Sequence, residues 1–367
     1  WASSLAEPAL QPLLLEALRA SYSLASMSER VRAARAAAVI TGAARLPSAD
    51  IGIDASRARR NSRGFETTSS NFGAALQLGW EADIWGRLGA QTKAAQREFL
   101  ATEADYIAAR LSLVANISRA WFDVRESQRL QELASRNEQN FTDNLEILER
   151  NFVEGTATAL DVRLTRSSKA SATEQHLQRE QELQQRLRAL ELLLGRYPSA
   201  SLETASGSLP DLLPPLPDSF NVQRTEQRPD LLAVRQRLAA LEFRRAAADR
   251  NLLPALRISA DGGTAGEEVR DIFDLDRLVW NIAGNLLAPV FKGGRLKAER
   301  EQADANLQAA AADYAQTALT AFEEVETALT ASQLLSEREA ALGVALEESS
   351  QAEELAFEQY GLGLTDI

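Results

Sequence analysis

Two kinds of periodicity alternate along this chain. Between Asn71 and Glu81, Phe72, Ala74, Leu76, Leu78 and Trp80 fall on one face. Asn71, Gly73, Ala75, Gln77 and Gly79 fall on the other. A period of two predicts a strand over 71–81. A weaker alternation of Ile51, Ile53 and Ala55 predicts a partner strand over 49–60, and polar Asn61–Gly64 and Thr67–Ser70 read as loop. After Gly89 there is no Gly or Pro until Gly155. The spacing predicts one helix over 88–154, roughly 100 Å long. Ile107, Leu111 and Val114, then Phe141, Leu145, Leu148 and Phe152, follow the 4,3 rhythm of a coiled-coil seam. A return helix is expected over 157–194. Ahead of these elements, residues 8–45 read as helical, with a break near Ser21–Ser23 and a stop at Pro47.

The same sequence of signals recurs about 207 to 208 positions later, the mark of an internal repeat. Pro47 falls on Pro254, Gly86-Arg87 on Gly294-Arg295, and Phe152-x-x-Gly155 on Tyr360-x-x-Gly363. The chain therefore divides into a first repeat over 1–197, a Pro-rich linker over 198–227 and a second repeat over 228–367. The second repeat carries a helix over 230–252, strands over 255–262 and 279–289, and a long helix over 295–360. An acidic loop is expected over Gly263–Asp276. Under the same offset Trp280, Ile282, Gly284 and Leu286 fall on Phe72, Ala74, Leu76 and Leu78, so the apolar face keeps its register in both copies.

Eleven alternating residues suit a tilted strand crossing a membrane, which needs about 9–11. Four strands cannot close a barrel, for which about eight is the practical minimum. Open edges are not tolerated in lipid. If the strands enter a bilayer, several copies must share one barrel. The lipid-facing set is then Phe72, Leu76, Leu78, Trp80, Trp280, Ile282 and Leu286, opposite a small or polar set of Gly73, Gln77, Gly79, Asn281 and Asn285. Trp80, Trp85 and Trp280 fall near strand ends, where aromatic girdles form. A soluble sheet with one buried face fits the alternation equally well.

Composition narrows the chemistry. The net charge of −12 argues against a nucleic-acid grip. No Cys, one His and one Met remove thiolate chemistry, Cys-based zinc sites and most His-based catalysis. No apolar run has the length of a membrane-spanning helix. His176 reads as a surface residue. Glu323-Glu324 and Glu347-Glu348 diverge from adjacent helix positions and read as solvated faces. Gly293-Gly294-Arg295 lacks the spacing of a phosphate loop and reads as a switch from strand to helix, as does Trp85-Gly86-Arg87. No catalytic, metal or cofactor site is assigned.

Four segments carry a family resemblance. Trp80-Glu81-Ala82-Asp83-Ile84-Trp85-Gly86-Arg87, Arg228-Pro229-Asp230-Leu231, Pro289-Val290-Phe291-Lys292-Gly293-Gly294-Arg295 and Tyr360-Gly361-Leu362-Gly363 follow one another at the spacing of the TolC and NodT type outer-membrane efflux proteins. The chain resembles that family over essentially its whole length. The resemblance implies a mainly α fold with membrane β-strands. Three chains would pool four strands each into a twelve-stranded barrel, prolonged by an α-barrel of long antiparallel helices. It implies a homotrimer in the outer membrane of a Gram-negative bacterium, extending into the periplasm. A periplasmic adaptor, an inner-membrane transporter and outer-membrane lipid are its implied partners. It implies passive export of small molecules rather than an enzyme, by a tripartite efflux or type I secretion system. Gly155, Leu160, Asp161, Tyr360 and Gly363 would then lie at the periplasmic tip, near the adaptor contact and aperture, with Asp161 forming an acidic ring.

The chain departs from the pattern in two places. The Cys that many members carry for lipid attachment is absent, so lipidation is unsupported. Only Leu364 to Ile367 follow Gly363, so the second return helix is missing and a truncated fragment is expected. A periplasmic coiled-coil adaptor or scaffold is the competing class. Adaptors place compact β domains around one hairpin, whereas here each strand pair is isolated between helices and repeated.

Overall fold

The computed structural model describes residues 7–62, 65–202 and 225–361. Helix α1 (Leu10–Ala20) and helix α2 (Tyr22–Ala43) meet at Ser21. Ser21 leaves the helical region (ψ 116°) and its hydroxyl accepts the Leu24 amide at 3.4 Å, which restarts the helix. Strands β1 (Ser48–Ser62) and β2 (Phe65–Ala82) follow, then α3 (Arg87–Glu154) and α4 (Ala159–Leu193). The second repeat supplies α5 (Pro229–Arg250), β3 (Ala255–Gly266), two 3-10 turns (Val269–Phe273 and Leu275–Arg277), β4 (Val279–Leu287) and α6 (Arg295–Gly361).

The four strands form one antiparallel sheet in the order β1-β2-β3-β4. The duplicated pairs thus lie side by side, with β2 against β3. Several strand limits differ from the sequence reading. Thr67–Ser70, read as loop, is strand and pairs with Arg57–Arg60. Its hydroxyl residues are as compatible with an exposed strand as with a turn, and a cross-strand partner decides between them. Strand β3 continues to Gly266 through residues expected to be loop, because it pairs with β2 as far as Phe72. Strand β4 stops at Leu287, short of Pro289, which has no N–H to give a ladder.

Helix α3 is the spine. Near the sheet it packs between α2 and α5, and further along against α4. Ala90, Ala94, Ala101 and Ala104 keep the 4,3 rhythm on α3, while Ala233, Ala240 and Ala247 recur every seven residues on α5; all are buried. Alanine at seam positions lets the backbones approach closely. Further along, Leu113, Ile117, Trp121 and Val124 of α3 form the main core with Leu10, Leu14 and Leu24 of the N-terminal helices and Leu187, Leu190 and Leu194 at the end of α4. The expected seam is therefore displaced: Ile107 and Leu111 are half exposed, and the buried stripe runs through alanines that a search for large apolar residues passes over.

Ion pairs flank these interfaces. Arg237 meets Asp105 and Arg244 meets Glu98 (3.3 Å) between α5 and α3. Arg245–Asp304 (2.9 Å) and Arg300–Asp249 (2.7 Å) join α5 to α6. Arg166–Glu149 (2.6 Å) and Arg186–Asp123 (3.5 Å) join α4 to α3. His176, expected at the surface, is a half-buried staple. It bonds Glu138 at 2.7 Å and Gln131 at 2.9 Å across the α3–α4 hairpin. Beyond Ala321, α6 loses its cover, and every residue described from Thr330 to Ala356 is exposed.

Arg228 ties the start of α5 to α6, bonding Asp230 at 2.8 Å and Glu324 at 2.7 Å. Pro229 opens the helix at its first position, where no N–H is missed. Desolvation is the largest influence and works against ionised Asp230, yet the hydrogen bond from Arg228, the Leu231 amide and the nearby Arg228 charge together outweigh it and hold the carboxyl below the usual aspartate range. Most of the expected linker lies outside the described residues. Its start is anchored by Glu191, only 2% exposed, whose carboxylate accepts the amides of Ala200 (2.7 Å), Ser201 (2.8 Å) and Leu202 (3.0 Å). Glu191→Ala strips the acceptor from three backbone donors, a loss of about 1–3 kcal/mol. Hydrogen exchange at Ala200–Leu202 is expected to accelerate by roughly tenfold or more, with the amides around Glu149 as an unchanged internal control.

Candidate functional site

Residues paired across a ladder share one face of the sheet, so the register fixes which side chains point together. Leu76 pairs with Ile51 on β1 and Gly262 on β3, which pairs with Trp280 on β4. Leu78 pairs with Ala49 and Ala260, and Ala260 with Ile282. Trp80 pairs with Ile258, and Leu286 with Leu256. The predicted set of Phe72, Leu76, Leu78, Trp80, Trp280, Ile282 and Leu286 thus falls on one continuous apolar face, joined by Ile51, Ile53, Leu256 and Ile258. Much of this face lies open, with Ile51 at 78% and Trp280 at 69% exposure. The opposite face is small or polar. One row runs Asp50, Gln77, Asp261, Asn281 across all four strands. Strands β1 and β4 are edges within the chain, and all nine residues of β4 are exposed.

The strand-to-helix switch explains its motif residue by residue. Trp80 donates its indole N–H to the Arg45 carbonyl at 2.9 Å, and Trp85 donates its own to the Pro254 carbonyl at 2.7 Å. Asp83 accepts the Leu88 amide at 2.9 Å and the Gly89 amide at 2.6 Å, capping the first turn of α3. Glu81 binds Arg87 at 2.5 Å, bridging the last residues of the strand to the first residue of the helix. Gly86 sits at φ +74°, in the left-handed region that redirects the chain from strand to helix. Its carbonyl accepts Arg250 at 2.7 Å. In the second copy Gly293 (φ +58°) and Gly294 (φ +83°) make the turn, and Arg295 bonds Glu299 at 2.7 Å. A cleft of about 510 Å³ lies between the two switches, lined by Trp85, Arg87, Phe291 and Arg295 among others.

At the far end of α3, Gly155 adopts φ +81°, and the Thr156 amide reaches back to Asn151 O at 2.9 Å. This is the glycine-terminated helix end expected of an aromatic-x-x-Gly signal. The next helix begins with a capping box that the sequence reading missed. The Thr158 amide donates to Asp161 at 2.9 Å, the Thr158 hydroxyl donates to it at 2.6 Å, and the Asp161 amide returns to Thr158 Oγ1 at 3.3 Å. The signal was available as Thr-x-x-Asp directly before a helix. Leu160 is 65% exposed and Val153 86%, with Phe152 and Leu164 also open, so the tip presents an apolar surface. Tyr360 lies in the last turn of α6, and Gly363 lies outside the described residues.

The Thr158 hydroxyl, then its amide, hold the Asp161 carboxyl below the usual aspartate range. The cap is therefore complete above that range and disappears only as pH falls through the lowered value. Exchange of the Thr158 amide is expected to remain protected from pH 7 to pH 5, and to be unprotected throughout in Asp161→Ala. At the switch, Gly86→Ala forces a side chain into the left-handed region, costing about 1–2 kcal/mol. Thermal unfolding is expected to show a clear loss of stability, against a slight gain for Gly343→Ala, where open space surrounds the helix and alanine is the better helix former.

These surfaces match known proteins over nearly the whole chain. The chain is 31% identical to the pyoverdine export outer membrane protein OpmQ of Pseudomonas putida, covering 99% of this chain and 79% of that one. It superposes on the crystal structure of a membrane protein from Pseudomonas aeruginosa with a TM-score of 0.92 and 30% identity, covering 100% of this chain and 86% of the other. The outer membrane protein VceC of Vibrio cholerae gives a TM-score of 0.89 at 26% identity, covering 100% and 89%. The profile of the Outer membrane efflux protein family matches residues 13–196 and 222–367, both repeats, and the chain belongs to that family of the Gram-negative outer membrane.

Proposed function

We propose that three copies of this chain close their four-stranded sheets into one twelve-stranded barrel across the outer membrane. The long helices prolong that barrel into the periplasm as the exit duct of a tripartite efflux system. The observation that carries this reading is the apolar face shared by all four strands, with an open edge on either side, continuing directly into helices roughly 100 Å long. In lipid such edges must pair, and pairing with sister copies is the solution open to a four-stranded sheet. The small and polar opposite face then lines a water-filled passage.

The duct works passively. The duct itself makes and breaks no bonds in this proposal, so energy comes from an inner-membrane transporter, and a periplasmic adaptor joins the two. The exposed tip around Phe152, Val153 and Leu160 is the proposed adaptor contact. Asp161 is proposed to lie at the aperture with its charge fixed by the capping box. The paired carboxylates Glu323-Glu324 stay structural, since Glu324 serves Arg228.

Neighbouring residues on opposite faces give a sharp test. Leu76→Lys places a cation on the lipid face near mid-membrane, where the cost is about 2–4 kcal/mol. The variant is expected to lose assembled oligomer in the membrane fraction. Gln77→Lys places the same cation in the passage. It is expected to assemble normally and to shift the anion-to-cation permeability ratio in planar bilayers. Equal tolerance of both substitutions, or a protein that forms no pores, contradicts the duct.

A further inference from the structure

The two hairpins differ in height and in charge. Strand β3 pairs with β2 only as far as Phe72, whereas β1 and β2 remain paired beyond it to Ser62 and Phe65. The first hairpin therefore overtops the second by roughly 20 Å along the strand. The helices leave the sheet at its other end, toward the periplasm, so this hairpin rises at the external side. Along the outward face, the row of Ala55 and Phe72 is the last apolar one. At that level, the first 3-10 turn covers β3, with Thr264 donating to the Ile272 carbonyl at 2.5 Å. From Ala82 to Phe72 the band spans roughly 25–30 Å along the membrane normal at ordinary strand tilt, the thickness of the hydrocarbon core.

The next outward rows carry Arg57, opposite Ser70, and Arg59, opposite Thr68. Both arginines are exposed. Arg59 pairs with Glu66. Among the described residues Arg57 has no ion-pair or hydrogen-bond partner. The acidic turn of the second hairpin does not supply one within the chain; its two arginines pair with three of its five carboxylates. Arg270 meets Glu268 at 2.8 Å, and Arg277 meets Asp271 at 3.3 Å and Asp274 at 3.2 Å. Arg60 pairs with Thr67 and faces the other way, into the passage.

We infer that Arg57 and Arg59 form a docking site for the phosphorylated headgroup of an outer-leaflet lipid. They stand one and two rows above the apolar band, on its own face, at the level where lipid phosphates lie. Guanidinium groups bind phosphate oxygens through paired N–H donors. The site asks nothing of the cargo and adds a specific lipid to the lipid-facing surface.

The test titrates diphosphoryl lipid A into the detergent-solubilised full chain and counts bound lipid by native mass spectrometry. R57Q/R59Q is expected to weaken binding roughly ten- to thirtyfold, from two cations near a charged lipid surface. R57K/R59K keeps the charge but loses the paired donors, and is expected to bind more weakly than wild type and more tightly than R57Q/R59Q. R60Q removes one positive charge, one position from Arg59 and three from Arg57 but on the passage face, and is expected to bind as wild type. Equal weakening by R60Q overturns the proposal, because attraction is then nonspecific. So does an R57Q/R59Q variant that binds lipid normally but dissociates at lower temperature without lipid, because the arginines then meet a neighbouring copy.

Discussion

A sheet edge cannot be left unpaired in hydrocarbon. Each open N–H and C=O there costs several kcal/mol, since no water is present to satisfy it. In this chain the constraint falls on β1 and β4. Both carry the apolar outward face, and among the described residues neither has a partner for its outer side. A soluble sheet hides such an edge behind a helix or blunts it with charge. Here β4 is bare along its whole length. The rest of the architecture follows, because edges that must meet sister edges also bring the attached helices together as a ring.

The sheet and the helices are joined where a period of two becomes a period of 3.6. The join needs a residue that tolerates a left-handed backbone, a cap for the new helix and a brace against hinging. Gly86 supplies the first, Asp83 the second, and the Glu81–Arg87 pair with the Trp85 indole the third. Beyond it, the alanine seam between α3 and α5 brings helix backbones close. The arginine–carboxylate pairs beside it fix their relative height, since alanine presents little to interlock. The exposed apolar tip lies at the opposite end of α3, so one rigid rod links the membrane passage to the surface proposed for the adaptor.

Most of this plan was legible in the sequence because glycine, proline and alternation are local signals. The Gly86 and Gly155 turns, the helix break near Ser21 and the apolar face that carries Leu76 in one copy and Trp280 in the other could be placed from spacing alone. What stayed hidden depended on partners. Thr67–Ser70 becomes strand only because Arg57–Arg60 lies beside it. The buried stripe of α3 was sought in Ile107 and Leu111, since a single sequence does not reveal that a seam can be made of alanine. His176 seemed ordinary because its partners Glu138 and Gln131 lie across a hairpin, far away in the chain. The role of Glu191 depends on amides that fold back over it. The capping box at Thr158 and the Asp83 cap are local features, each a short polar side chain within a few residues of the amides it accepts.

The first switch is not self-contained. Its carbonyl at Gly86 is held by Arg250, and its indole at Trp85 by the Pro254 carbonyl, both contributed by the later half of the polypeptide. A half-length ancestor would have had to borrow those groups from a second molecule. Once duplication placed them in one polypeptide, the earlier half came to lean on the later one, so the two halves are no longer interchangeable. Ancestral symmetry survives in the trace of the backbone, while the bonds that hold it have become one-sided.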